Sequence, residues 1–226
     1  MTNDDAARPV LITLKWVPEF ARGLVRDLRV RWALEEAAIP YRVELVDADE
    51  KMLPAYRALQ PFGQVPAYRD GALRLFESGA IVHHIAAASP VLMPADAAAR
   101  SRTLSWMFAA LNSVEPALLA LADVDLSAAA AGASLRRPAL LAQAQTRLAD
   151  LNRVLEGRAY LLGGFTAADI LMASVLNIVR HTPLVAAYPH LHAYHQRCRA
   201  RPAARKAHAD QMALYEGAWR GETEIR

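Results

Sequence analysis

The chain has 226 residues, 54% of them hydrophobic and 22% charged, which suits a globular protein with two compact cores and excludes a disordered one. A formal charge of +3 with an isoelectric point near 9.2 does not by itself mark a nucleic-acid face. The basic run Arg197, Arg199, Arg201, Arg205 and Lys206 lacks aromatic platforms or a reading motif and reads as a solvated helix end.

Residues 1–9 lack the charged-then-apolar order of a signal peptide, and the longest apolar runs read as too short to span a membrane. A single cysteine, Cys198, cannot form an internal disulfide, which fits a reducing compartment and a cytoplasmic setting. Residues 10–16 are apolar enough for a buried strand. Residues 22–38 read as a helix, with Leu24, Leu28 and Trp32 four apart and Pro40 stopping it. Residues 41–46 alternate and predict a second strand. A short helix or irregular turn over 51–59 follows. A strand over 65–68 then turns at Arg69-Asp70-Gly71 and returns to Phe76, and a helix over 78–88 closes the unit. Strand, helix, strand, helix, hairpin, helix is a small α/β layer of thioredoxin-like type, assigned to residues 8–88.

Two prolines in six residues mark 89–95 as a linker, and residues 96–226 are purely helical in pattern. Leu104, Phe108, Leu111, Val114 and Leu118 form one long stripe that Pro116 should kink or restart. Residues 126–134 are alanine-rich and ambiguous. Leu141, Ala144, Leu148, Leu151 and Leu155 predict an amphipathic helix, and 170–179 is apolar almost all round, as in a helix at a domain centre. Thr166-Ala167-Ala168-Asp169 is a capping box before it, with Phe165 placed to staple onto Ile170. One more helix runs over 189–201. The fold class is therefore α/β followed by all-α.

The candidate chemistry lies around the hairpin. Pro66 lacks an N–H, so it belongs at a strand start, and a cis bond before it would leave the Val65 main chain facing outward to pair with an extended ligand. Glu77-Ser78 stands where the next helix begins. Ser78 is a plausible N-cap beside free N–H groups that attract a carboxylate, and Glu77 can hold an ammonium. Together they would read the head group of an α-amino acid, although a helix cap next to a solvated Glu has the same sequence.

Pro61-Phe62-Gly63-Gln64-Val65-Pro66 followed by Phe76-Glu77-Ser78-Gly79-Ala80-Ile81 resembles the glutathione-binding half of the glutathione S-transferase superfamily, bacterial cytosolic type. The resemblance implies the glutathione transferase fold, with an N-terminal thioredoxin-like domain and a C-terminal helical bundle. It implies glutathione as co-substrate, no metal, and a homodimer that binds neither nucleic acid nor membrane. It places the cysteinyl unit against Val65-Pro66 with Gln64 beside it, the γ-glutamyl end on Glu77 and Ser78, and the glycine carboxylate near Lys51. The capping box resembles the one that opens the central helix of the family's second domain, where its role is folding.

A free thiol with pKa ~8.5 is only a few per cent thiolate at pH 7, and lowering that pKa by two units requires about 2.7 kcal/mol of preferential stabilisation. Relatives supply a Tyr, Ser or Cys just after the first strand, whereas this chain has no Ser, Thr, Tyr or Cys from Leu14 to Pro40. The alternative activators are a helix N-terminus and a guanidinium, Arg22 first and Arg26 second. Either arginine can equally pair with Glu19 or Asp27. An electrophile pocket is expected between the domains, walled by Phe20, Trp106, Ala110 and Asn112.

His83-His84 diverge on a helix, and His192 and His195 lack an evident third ligand, so no metal site is expected. Gly163-Gly164 offers no phosphate loop. The expected activity is thiolate attack on a small apolar electrophile. A glutathione-dependent isomerase, peroxidase or dehalogenase, or a non-catalytic glutathione carrier, would share the scaffold.

Overall fold

In the computed structural model, which describes residues 8–126 and 133–216, four strands form one mixed sheet. These are β1 (Val10–Leu14), β2 (Arg42–Val46), β3 (Ala67–Asp70) and β4 (Leu73–Phe76), in the spatial order β2-β1-β3-β4. β1 and β2 run parallel, with Leu14 opposite Val46; β3 is antiparallel to β1, and β4 to β3. Between the strands lie α1 (Asp27–Glu36) and the short α2 (Pro54–Arg57), and α3 (Ser78–Ala87) follows β4.

Strand alternation sends Val10 and Ile12 to one face, where they meet Val46, Tyr56 and Ala67, with Leu59 and Val65 packed against the cluster. α1 packs on β1. Gly71, at φ 54, supplies the left-handed turn that the β3–β4 hairpin needs.

The first helix starts later than its periodicity predicts. Gly23 at φ 75 interrupts the chain after a single turn of 3-10 helix (Glu19–Ala21), so residues 22–26 are turns and α1 begins at Asp27. Its first carboxylate is buried. Asp27 accepts from Arg31 Nε at 2.7 Å and from Gln211 Nε2 at 2.6 Å.

Gln211 belongs to the last helix, α9 in the series that continues α4 (Ala97–Phe108), α5 (Glu115–Leu126), α6 (Ala133–Val154), α7 (Ala167–Leu176), α8 (Pro189–Arg199) and α9 (Pro202–Glu216). α9 packs on α1, and Lys206 adds a bond to Glu35 at 2.9 Å. Among the described residues, 8–84 together with 202–216 form one compact unit, and Ile85–Arg201 belongs to the other. The division differs from a helical domain running unbroken from residue 96, because the buried Asp27–Gln211 contact ties the last helix to the first unit.

In the second unit α7 is buried along nearly its whole length, as an element apolar on all sides must be. The α-helix restarts at Pro116, as expected: α4 ends at Phe108, residues Ala109–Val114 form a π-helical turn, and α5 begins at Glu115 with Pro116 as its second residue, so helical backbone runs from Ala97 to Leu126. That run is long and apolar enough to cross a bilayer by length and composition, contrary to the sequence reading. Its buried stripe is Met107, Ala110, Val114, Leu118 and Leu121, not the one the spacing predicts: Phe108 is 61% exposed and Leu104 and Leu111 are half-buried.

Of the ambiguous segment, residues 127–132 lie outside the described residues. The proline-rich 89–95 stretch is tied down, with Leu92 fully buried and its carbonyl accepting from Ala167 N–H at 2.9 Å. Phe165 stacks edge-on against Tyr160, and Arg201 lies 3.7 Å over its ring centroid. The basic run is likewise engaged: Arg197 donates to the Ala159 carbonyl at 2.8 Å.

Candidate functional site

The sheet register gathers the candidate residues of the first unit at one end. Ala67 pairs with both Ile12 and Phe76, so the residues just before β3 and just after β4 lie side by side. Val65-Pro66 and Glu77-Ser78 are those residues. β1 and β2, being parallel, end at the same edge. The segment after β1 carries Phe20, Arg22 and Arg26, and the segment after β2 carries Lys51. In open α/β sheets the carboxyl ends of the strands are where ligands bind.

The Val65-Pro66 bond is cis. Val65 has its side chain packed on the sheet core, and its main chain lies outside the ladder that ends at Ala67. Gln64 is held by its carbonyl, which accepts from Tyr56 Oη at 2.7 Å; burial pushes the Tyr56 phenol up to about 12, so it remains a donor. Gln60, also buried, accepts from Phe62 N–H at 2.7 Å and shapes the loop before Gln64.

Glu77, rather than Ser78, occupies the cap position of α3, because its carbonyl accepts the first helical bond from Ile81 N–H at 3.0 Å. Its φ is 67, a left-handed conformation that costs a non-glycine residue of order 1 kcal/mol, and its side chain is exposed. Ser78 is the first helical residue and is 4% exposed. Its Oγ accepts from Arg29 Nη1 at 3.2 Å. The N–H groups of Ser78, Gly79 and Ala80 fall in the first turn, where no intrahelical carbonyl reaches them. An exposed carboxylate beside a helix N-terminus provides an acceptor for an ammonium and donors for a carboxylate, one step along the chain from each other.

The other candidates stand as follows. Arg22 is half-buried at the end of the 3-10 turn, and Arg26 is exposed just before α1. Lys51 is half-buried in a second 3-10 turn, Glu50–Met52. Phe20 is 64% exposed on the first unit. In the second unit Trp106 is half-buried and Asn112 exposed on the π-helical turn. Ala110 is 0% exposed, so its methyl presents no surface to a ligand; it is packed as part of the helical stripe.

Arg29 escaped the sequence reading because an arginine near the start of a helix is ordinarily solvated. The signal was its place in Leu28-Arg29-Val30-Arg31-Trp32, where two arginines alternate with apolar residues and all five are buried. Lys15, at the same sheet end, was also passed over; it bonds Asp47 at 3.3 Å and Glu50 at 3.0 Å.

The histidines form no ligand set. His84 lies 3.8 Å from Asp70, His195 bonds Asn177 at 3.0 Å, and no group of three metal-binding side chains gathers among the described residues. Burial pushes the Cys198 thiol well up, which leaves it protonated and inert.

Comparison with known proteins agrees with this architecture. The sequence models of the glutathione S-transferase N-terminal and C-terminal domains match residues 21–87 and 136–202. Glutathione S-transferase 4 of Zea mays is 32% identical over 205 residues, covering 84% of this chain and 90% of the relative. The disulfide-bond oxidoreductase YfcG of Escherichia coli is 29% identical over 185 residues, covering 77% and 86%. Among solved structures, the theta class glutathione S-transferase of Xanthomonas axonopodis pv. citri, with glutathione bound, superposes with a TM-score of 0.74 at 30% identity, covering 89% of this chain and 97% of that one. The chain belongs to the glutathione S-transferase family and has its fold.

Proposed function

We propose that this protein binds glutathione at the carboxyl end of its sheet and transfers it, as the thiolate, to a small apolar electrophile. The sulfur forms a bond to carbon, the leaving group departs with its electron pair, and the thiol proton passes to solvent. The observation that carries the reading is the Ala67–Phe76 register, which sets the Val65-Pro66 main chain beside the Glu77-Ser78 helix start. Val65 pairs its main chain with the cysteinyl unit. Glu77 takes the γ-glutamyl ammonium, Ser78 and the first-turn N–H groups take the carboxylate, and Lys51 faces the glycine end. Arg22 stabilises the thiolate, in place of the hydroxyl the segment lacks. Phe20, Trp106 and Asn112 are the electrophile-binding residues. The protein acts as a cytoplasmic homodimer.

Calorimetry with glutathione, paired with turnover on a panel of aryl halides, tests this. Micromolar-to-millimolar binding with turnover is expected, and Arg22→Ala should raise the bound thiol's pKa by about one unit. Unchanged thiol pKa and turnover in Arg22→Ala would remove Arg22 from the mechanism, and binding without turnover on any electrophile would point to a carrier.

A second reading, glutathione-dependent disulfide reduction, is favoured by one fact: a relative matched over 86% of its length is a disulfide-bond oxidoreductase. Reduction of a small disulfide by glutathione, with no aryl halide conjugation, would select it.

A further inference from the structure

We propose that Arg29 is a positioning residue for the carboxylate at the start of α3: it fixes the Ser78 hydroxyl as a donor and sets a positive charge one bond behind it. This rests on the reading of that helix start as the seat of the glutathione γ-glutamyl group. Arg29 is 5% exposed, on the first turn of α1, and its Nη1 lies 3.2 Å from Ser78 Oγ.

The chemistry follows from the donor inventory. A guanidinium has five N–H donors and no acceptor, so in this pair the serine oxygen accepts. The hydroxyl retains one proton, and with one lone pair engaged it points that proton away from Arg29. A carboxylate on the far side is the partner that gains most, because it accepts from Ser78 Oγ–H and feels the buried guanidinium through it. Hydrogen bonds that include an ionised group are shorter and roughly twice as strong as neutral ones, and a chain of such bonds polarises itself.

The position is also selective. A buried cation behind the serine favours an anionic ligand group over a neutral one of the same shape, so the residue acts on recognition of the α-carboxylate and not on the sulfur. Lysine would keep the charge with a single-point donor and lose the guanidinium fork. Methionine keeps much of the volume and removes both charge and donor.

The test is a ligand-and-mutant cycle read by calorimetry and steady-state kinetics. Wild type, Arg29→Met, Arg29→Lys, Ser78→Ala and the double variant are measured with glutathione and with 4-aminobutyryl-cysteinyl-glycine, which lacks only the γ-glutamyl α-carboxylate. Circular dichroism and thermal melts confirm that each is folded.

Arg29→Met is expected to weaken glutathione about tenfold, in the dissociation constant and in KM, with kcat at saturating glutathione unchanged. Against the analogue the same substitution should cost less than about twofold, since the partner of the charge is gone. Arg29→Lys should recover part of the loss, and in a Ser78→Ala background Arg29→Met should add little. Equal loss for both ligands, or full additivity with Ser78→Ala, would overturn the proposal and leave Arg29 a packing residue. Wild-type protein that does not distinguish the two ligands would instead refute the reading of the α3 start, and Arg29's role would fall with it.

Discussion

Two helix starts, one in each unit, are built from the same parts and put to opposite uses. At α7, Thr166 opens the helix and the Asp169 carboxylate accepts four donors: Leu161 N–H, Thr166 N–H and Oγ1, and Tyr194 Oη, at 2.8 to 3.1 Å. Every one of these donors is internal, and Asp169 is 0% exposed. At α3, the hydroxyl of Ser78 is engaged from behind by Arg29, but the acid, Glu77, is exposed and its backbone sits in a left-handed conformation. A capping box that closes on itself holds a fold together. A helix start whose acid faces outward keeps its hydrogen-bonding capacity for something else. Sequence alone barely separates the two, since both read as hydroxyl and carboxylate at the mouth of an apolar helix.

The contrast can be broken most severely at α7. Asp169→Asn is expected to destabilise the protein by about 3 kcal/mol, because it leaves buried donors competing for one carbonyl. Urea denaturation measures the loss, and glutathione affinity of the remaining folded protein should not change.

Acid should act on the same unit. His195 is buried on α8, and burial first, then Arg199 and His192, lower its pKa from 6.5 to about 4. The folded state therefore favours the neutral ring. That stability is fully present above pH 6.5 and is lost as pH falls from 6.5 towards about 4, by up to about 3 kcal/mol. His195→Gln should flatten this part of the profile of stability against pH.

At the open helix start the effects are smaller and fall on binding. Ser78→Ala should weaken glutathione about tenfold, near 1.4 kcal/mol, read by calorimetry. A loss confined to melting temperature, with affinity intact, would make α3 as self-contained as α7. The smallest effect is expected at Arg26, which is exposed beside the start of α1: Arg26→Ala should change turnover by less than about twofold, and a larger change would move thiolate stabilisation from Arg22 to Arg26.

Much of this was legible in the residues. The hairpin, the cis proline's position and the Glu77-Ser78 pair follow from local rules, because a turn glycine, a proline at a strand start and a helix beginning each leave a mark within a few positions. The capping box was legible for the same reason. What failed were features set by contacts far apart in the chain. The start of α1 depends on Gly23 and on a carboxylate buried by Gln211, 184 residues away. Arg29's importance depends on Ser78, 49 residues away. Ala110 read as a pocket wall because helical periodicity cannot tell which side of a π-helical turn is covered.

The attachment of α9 bears on how the protein is made. Translation delivers α1 about 170 residues before Lys206 meets Glu35, and later still before Gln211 reaches Asp27. Until then Asp27 lacks the Gln211 amide that bonds it in the finished fold. An excised N-terminal fragment would remain in that unfinished condition, and a circular permutant that brings α9 ahead of β1 would complete its first unit early.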